Sequence, residues 1–524
     1  MVKKLTNELK HTFGNYYTIK YNSIETSIGW NGLSIVIDQP TFTSDTSDHE
    51  SNLKFPALFF HSQKLVIGNL SIRKLLFTND LQFGEITLKK PRLKFIVFSN
   101  DSTVRAEKPT MKNRKKNIDD NLIIQKIKIE NGSLVSCHYN EKADTTFLGF
   151  NINASLENLN IDIAKIKTLA YALKNENNFC FSVGKAYYKP FQSNYLFAMD
   201  TLVLNDKTKV ISAKNLAETT LKSKLALSRL SRYSKIIPET KIASFKLEGY
   251  DLKKLFLNNT IRVKTIFLNE IDLEMFKNKQ QQLNTSDEKP LFQNMLTSFP
   301  FLLIIDSVYI TNSAMSFELI DHKTKTPVAF YLNHINAVLT KINTLQKSID
   351  TMMLTSTGRF MNAANFKIKA IFPDLYNDAN YYSGYVGPMS FNKFNLILSS
   401  YSGIKIVEGK IKSIVFSGWC NKFENYGSLV FKYNDLEIEV DKTNRQGKRK
   451  KAKLISMFGN MVLHNNNPRD KKNPAASVSY YFRRQKYQNH VVLWVGGLLE
   501  GVKNTLVNKN TVDRGKKYLK KRNN

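Results

Sequence analysis

The chain has only three cysteines in 524 residues, Cys137, Cys180 and Cys420, and no CxxC pair among them. Their odd number leaves at least one thiol unpaired, so neither a disulfide scaffold nor a zinc module is encoded. Long apolar runs are missing as well. The longest, Phe301 to Ile305 and Val491 to Leu499, fall far short of the roughly 20 residues that a membrane-spanning helix needs. The start MVKKLTNELK is basic without an apolar segment behind it, and the expectation is that it encodes no signal peptide.

Catalytic signatures are absent too. The 8 histidines show no HxxxH or HExxH spacing, and there is no Walker loop and no GxSxG. The acidic group Asp45, Asp48, His49 and Glu50 reads as a polar surface loop. Gly496, Gly497 and Gly501 fall in an apolar helical segment rather than after a strand, which excludes a phosphate loop. No enzyme, metal or cofactor is expected.

What is present describes an ordered protein: 42% hydrophobic and 11% aromatic residues, with 34 Phe and 23 Tyr spread along the chain. The length is that of two to four domains or of an extended repeat. A formal charge of +33 attracts polyanions and anionic membrane surfaces nonspecifically. The cations are dispersed, Lys outnumbers Arg and Asn is abundant. Codon usage of an AT-rich genome gives the same pattern, so a functional basic surface and a compositional bias both stand. The stretches Asn100–Asp120, Gln280–Pro290 and Asp441–Lys453, the first with KNRKK and the last with GKRKKAK, read as solvated loops. A single-strand nucleic-acid groove interleaves cations with aromatics on one face. Alternation here segregates apolar from charged positions, and no specific nucleic acid is expected.

The strongest positive signal is a duplication. KLLFTNDLQFGEITLKKPRLKFI, Lys74 to Ile96, aligns without a gap on KLFLNNTIRVKTIFLNEIDLEMF, Lys254 to Phe276, at an offset of 180 with six identities. Ser71 and Asp251 stand before the two short apolar runs as helix caps, and Asn79 and Asn259 follow as turn residues. Alternation then places Leu81 and Phe83, Ile86 and Leu88 in the first copy against Ile261 and Val263, Ile266 and Leu268 in the second. In both copies it slips by one residue at the same place, the mark of a bulge or tight bend. Downstream, NLIIQKIKIENGSL from Asn121 aligns on LLIIDSVYITNSAM from Leu302 at an offset of 181, which matches Asn131 with Asn312 as turn residues, Ile127 with Val308 and Ile129 with Ile310.

Period-2 segments dominate elsewhere, as in KIVEGKIKSIVF and SLVFKYNDLEIEV. Helical candidates are few: Leu5 to Phe13, Ala164 to Leu173, Leu216 to Tyr233, Leu291 to Ser298 and the C-terminal segment from Val491 to about Lys521. A long sheet whose apolar face outruns its helices must curl, pair or bind something. The expected fold is mainly β: an elongated, curled, groove-like antiparallel sheet built from a duplicated unit of about 180 residues with a few short helices. Residues 1–55 form an N-terminal helix and first strands, 56–235 and 236–430 two repeat units, and 431–524 the closing strands and an amphipathic helix.

QKLVIGNLSIRKLLFTNDLQFGEITLKKPRLKFIVF from Gln63, the opening YYTIKYNSIETSIGWNGLSIVIDQPTF and the closing GSLVFKYNDLEIEV, LISMFGNMVLHNNNP and LWVGGLLEGVKNTL resemble the AsmA-like family of Gram-negative envelope proteins, relatives of the bridge-like lipid-transfer proteins. The resemblance covers most of the chain through patterns of apolar alternation. It implies an N-terminal membrane anchor, a periplasmic body and a non-catalytic role in lipid transport or outer-membrane biogenesis, with an envelope scaffold or assembly protein without lipid as the alternative. The start of the chain shows no anchor pattern, so the expected localisation is periplasmic, and inner-membrane-anchored if an N-terminal anchor is missing from these residues. The implied partners are a phospholipid or other acyl-chain lipid, a membrane surface and envelope proteins. The groove candidates are the matched residues named above: Leu81, Phe83, Ile86, Leu88, Ile127 and Ile129 with Ile261, Val263, Ile266, Leu268, Val308 and Ile310. Trp494, Val495, Leu499, Val502 and Leu506 are the membrane-contact candidates, because the last four share a helical stripe; packing of that stripe on the final strands is the competing expectation.

Overall fold

The computed structural model describes residues 17–30, 32–44, 57–71, 81–98, 121–140, 142–162, 178–320, 328–345, 350–395, 404–443, 449–451, 463–470 and 472–506. The fold is mainly β, a mixed and mostly antiparallel sheet with few helices. Backbone contacts divide the chain into two compact units, residues 1–221 with 243–258 and residues 222–242 with 259–524. The strand Ile236–Glu248 contributes to both.

In the first unit the strands run in two lanes. One lane is Ser23–Gly29, Gly32–Asp38, Lys64–Leu70 and Leu81–Lys89, each antiparallel to the next. The other is Tyr17–Lys20, Thr41–Ser44, Ala57–His61 and Arg92–Phe98, also antiparallel. Both lanes join the long strand Asn121–Asn140 in parallel, the first along its N-terminal half and the second along its C-terminal half. Lys142–Asp162 follows antiparallel. The lanes then separate again, Asn178–Val183 and Thr201–Asn205 in one, Ala186–Tyr188 and Tyr195–Met199 in the other, and rejoin at Val210–Thr220.

The second unit begins with Thr260–Asn278 parallel to Leu302–Ile320. Antiparallel neighbours follow in order: Val328–Asn343, Met352–Phe360, Ala364–Phe372, Asn380–Val386, Ile404–Cys420, Glu424–Thr443 and Ser477–Arg483. The parallel ladders refine the expected antiparallel sheet, and their cause is topological. A parallel neighbour requires a crossover, and the stretch Gln280–Pro290 read as a loop belongs to the crossover between Asn278 and Leu302. Asp441–Lys453 is also more than a loop, since Arg449–Lys451 pairs with Asp441–Thr443.

Helices are short. Leu252–Asn258 is capped as its sequence foretold, with the Lys254 amide donating to Asp251 Oδ1 at 3.0 Å. The sequence predicts helix over Leu216–Tyr233, but Leu216–Thr220 belongs to a strand and helix occupies only Lys224–Leu230, capped by Ser223. Phe292–Thr297 is helical as expected, and the C-terminal helix is His490–Leu506. The segments Leu5–Phe13, Ala164–Leu173 and 507–521, together with Ser71's helical run, Asn79, Asp45, Asp48, His49, Glu50 and the loop after Asn100, lie outside the described residues.

The lanes arise from paired irregularities. Asn131 and Asn312, read as turn residues, instead sit inside the long strands Asn121–Asn140 and Leu302–Ile320, in left-handed conformation with φ of 53° and 45°. Lys90 beside Asn131 and Glu270 beside Asn312 are left-handed as well, at φ of 46° and 53°, and so are Asn151 and His334 on the next strands, at 52° and 50°. A second line of irregularity crosses Asn158 and Lys341, with φ of 60° and 58°. There the ladders pass over Gln125 opposite Asn158 and Asp306 opposite both Lys264 and Lys341 without a change of offset. Adjacent strands therefore slip together, which keeps them in register while the side-chain alternation shifts by one. This is the slip visible in the sequence. Bulges bend a strand and increase its twist, so bulges aligned across neighbours make a crease.

Composition explains how the creases are made. Among the described residues, eight of the 17 non-glycine residues with positive φ are Asn, the residue whose short polar side chain best tolerates that region after glycine. The abundant asparagine thus has a structural use, whatever its genomic origin.

Candidate functional site: an open apolar sheet face

Pairing registers connect the sequence-predicted residues into rows across the strands. In the first unit one row runs Ile24, Ile37, Leu65, Leu88, Ile129, Ala154, Phe181, Leu204 and Ile211, each residue opposite the next. A neighbouring row runs Ile35, Ile67, Ile86, Ile127, Leu156 and Phe179. All nine residues of the first row are half-buried. Sandwich cores are close-packed and exclude water from such positions. Half-burial leaves part of each side chain of this row in contact with solvent. Eight strand spacings of about 4.8 Å give it a length of roughly 38 Å, more than one leaflet of a bilayer's roughly 30 Å hydrocarbon core.

The corresponding rows of the second unit change character along their length. Ile266, Val308, Leu339 and Leu354 are half-buried, and the row then enters the fully covered Ala370, Tyr382 and, beyond Gly418 and Gly427, Tyr480. Leu268 and Ile310 lead likewise into Ala337 at 6% exposure. Leu88, Ile129 and Ala154 in the first unit and Leu268, Ile310 and Ala337 in the second therefore hold equivalent ladder positions.

Not every candidate lines an open face. Val263 is 1% exposed and belongs to the interior, and Ile261 and Val308 pack against the large core cluster that contains Leu303. Phe83 is half-buried and pairs with the buried Ile124; the backbone of Leu81 heads the same ladder opposite Leu122.

The C-terminal helix closes the far end of the second unit. Leu493 is fully buried, and Trp494, Leu498, Val502 and Leu506 pack against the cluster that contains Phe431, Tyr433 and Leu429. Trp494 stacks on Tyr382 at 5.2 Å and donates its indole N–H to Asn380 Oδ1 at 3.1 Å. Trp494, Val502 and Leu506 are therefore core residues rather than membrane contacts. Val495 and Leu499 point outward, 46% and 62% exposed, in line with Val491 at 64%. The expected stripe splits because helix phase follows the glycines. A Cβ at Gly497 would run into the amide of Asn425, and one at Gly501 would approach Tyr480 to 2.9 Å, so the glycine side lies flush on the sheet.

Electrostatics at this end are those of a sealed core. Arg484 is 2% exposed and donates to the backbone carbonyls of Lys422, Lys289 and Gln488. His490 Nδ1 accepts from the Phe292 amide at 3.1 Å. Burial, with Arg484 nearby, pushes the imidazole down to about 4. Burial also raises the Cys420 thiol to about 12. Among the described residues no group of three or more His, Cys, Asp or Glu is placed to hold a metal, and no helix is long and apolar enough to cross a membrane.

Sequence reasoning missed this sealed core, because its strands carry the same alternation as the open ones. The only hint was the glycine triplet in an otherwise helical segment.

Comparison with protein-family models finds no match, and comparison with curated proteins finds none either.

Proposed function

We propose that the chain is a non-catalytic lipid-binding protein of the cell envelope, whose creased apolar face carries acyl chains during lipid transport or outer-membrane biogenesis. The half-buried nine-strand row of the first unit carries this reading. Apolar surface left in contact with water costs about 25 cal/mol per Å², and soluble proteins rarely keep continuous apolar patches beyond a few hundred Å² without a partner. An acyl chain laid along the row removes that cost on both sides, at about 0.8 kcal/mol for each methylene buried. The AsmA-like resemblance supports the periplasm as the compartment and a membrane surface as the source of the lipid.

Native mass spectrometry and lipid extraction of the protein purified without detergent test the proposal. Phospholipid is expected from the wild type, and much less from a Leu88→Asp, Leu268→Asp double variant. Phe267→Asp, at an exposed position, serves as the control and retains the lipid. Equal recovery from all three proteins, or no lipid from a folded monodisperse sample, rejects it.

A further inference from the structure

The face of the second unit opposite its sealed core carries a trough that the lipid reading does not use. Ser383, Ser417, Ser428 and Ser479 stand opposite one another on four consecutive strands and point outward. On one side rises an aromatic row, Tyr381, Trp419, Tyr426 and Tyr481, again in register. On the other side stand Tyr385, Val415 and Val430. Small side chains between two bulky rows leave a depression, which takes the form of two clefts of about 470 and 390 Å³ that share Lys369, Ser383, Ser417 and Ser428.

The charge in the trough has one sign. Lys367 and Lys369 line it, neither makes an ion pair among the described residues, and no Asp or Glu lines either cleft. Glu424, at the margin, is engaged by the Tyr481 hydroxyl at 2.9 Å. Alternation along each strand segregates apolar from charged positions, but pairing brings a cation beside an aromatic, because Lys367 stands opposite Tyr385 and Lys369 opposite Ser383 on the next strand.

We propose that this trough binds an extended glycan that carries carboxylate or phosphate groups. Three features select that ligand. Hydroxyls repeat at the strand spacing of about 4.8 Å, close to the length of one pyranose residue along an extended chain, so successive sugars meet equivalent serines. Each serine both donates and accepts, as sugar hydroxyls require; Ser417 and Ser428 share one hydrogen bond at 3.4 Å, and the remaining capacity of the row is one that a hydrocarbon chain could not use. The two ammonium groups at one end match an acidic substituent. Single-stranded nucleic acid fits less well. Here neighbouring rings stand in tilted contact, with Trp419 to Tyr426 centroids at 6.0 Å and Tyr426 to Tyr481 at 4.9 Å, which leaves no gap in which a base could stack between successive rings.

Isothermal titration of the full chain with an oligogalacturonate tests this, with a neutral malto-oligosaccharide, an oligoglutamate of equal charge and an oligothymidylate as comparators. Oligogalacturonate is expected to bind best. Ser417→Leu with Ser428→Leu fills the floor from the solvent side, and Lys367→Ser with Lys369→Ser removes the cations. Each double variant should weaken binding at least about tenfold while the circular dichroism spectrum stays unchanged. Equal affinity of wild type and the filled variant overturns the proposal. Oligoglutamate binding as tightly as the sugar assigns the effect to the net charge of +33 alone, and tighter oligothymidylate binding assigns the trough to nucleic acid; both reject the glycan.

Discussion

The backbone amide of Asn312 donates to Oδ1 of Asn336 on the neighbouring strand at 3.1 Å, and Asn131 makes the same bond to Asn153 at 2.9 Å. In each case the accepting asparagine reaches back to the carbonyl two residues before it, His334 or Asn151. The amide that a left-handed residue withdraws from the ladder is thus satisfied by a side chain, and this lets a crease cross the sheet without orphaned donors.

Replacing Asn312 by Ala should therefore cost about 1–2 kcal/mol, because an alanine pays the full steric penalty of the left-handed region. Asn312→Gly should be close to neutral. Asn336→Ala removes only the acceptor and should cost about 0.5–1.5 kcal/mol. Urea unfolding of the three variants checks the order; an alanine as stable as the glycine would mean that the crease does not constrain this residue.

Gly497→Ala separates helix propensity from packing. In an exposed helix the change stabilises by about 1 kcal/mol. Here the added methyl meets Asn425, whose side chain is held by the Tyr382 hydroxyl at 2.9 Å and by the Leu493 carbonyl at 2.8 Å. Overpacking costs about 1–3 kcal/mol, so the melting temperature should fall. Glu500→Ala, on the solvent side of the same helix, should change stability by less than about 0.5 kcal/mol.

Open and sealed parts of the apolar face should respond differently to truncation. Phe431, 1% exposed, should lose about 3–5 kcal/mol on change to Ala, since a cavity remains. Ile310 is half-buried, and its change to Ala should fall below the roughly 2–5 kcal/mol typical of buried isoleucine. Matched losses at the two sites would show the open row to be an ordinary core.

Acid should loosen the C-terminal helix through His490. Its folded pKa lies near 4, below the ordinary 6.5, so between these values the unfolded chain binds the proton that the folded one refuses. Stability from this group is complete above about pH 6.5 and declines as the pH falls towards 4. Melting curves from pH 7 to 4 should show the decline in the wild type. His490→Asn keeps an acceptor near the Phe292 amide without a titrating group, and it should flatten that part of the profile.

The β-rich class, the strands of the matched segments, the one-residue slip, the Asp251 cap and the few helices were all legible in the sequence, because each is a local pattern: alternation, a cap or a break recorded in adjacent residues. Tertiary structure decided which side of each alternating strand is open and which is sealed. Ile266 and Ala370 lie on one row and in strands of the same period, yet only Ala370 is fully buried, since burial depends on what crosses the face. Register also turned scattered serines, tyrosines and lysines into a trough. Pairing across strands is a property of residues far apart in the chain, and alternation within one strand specifies the two faces but not the neighbours that each will meet.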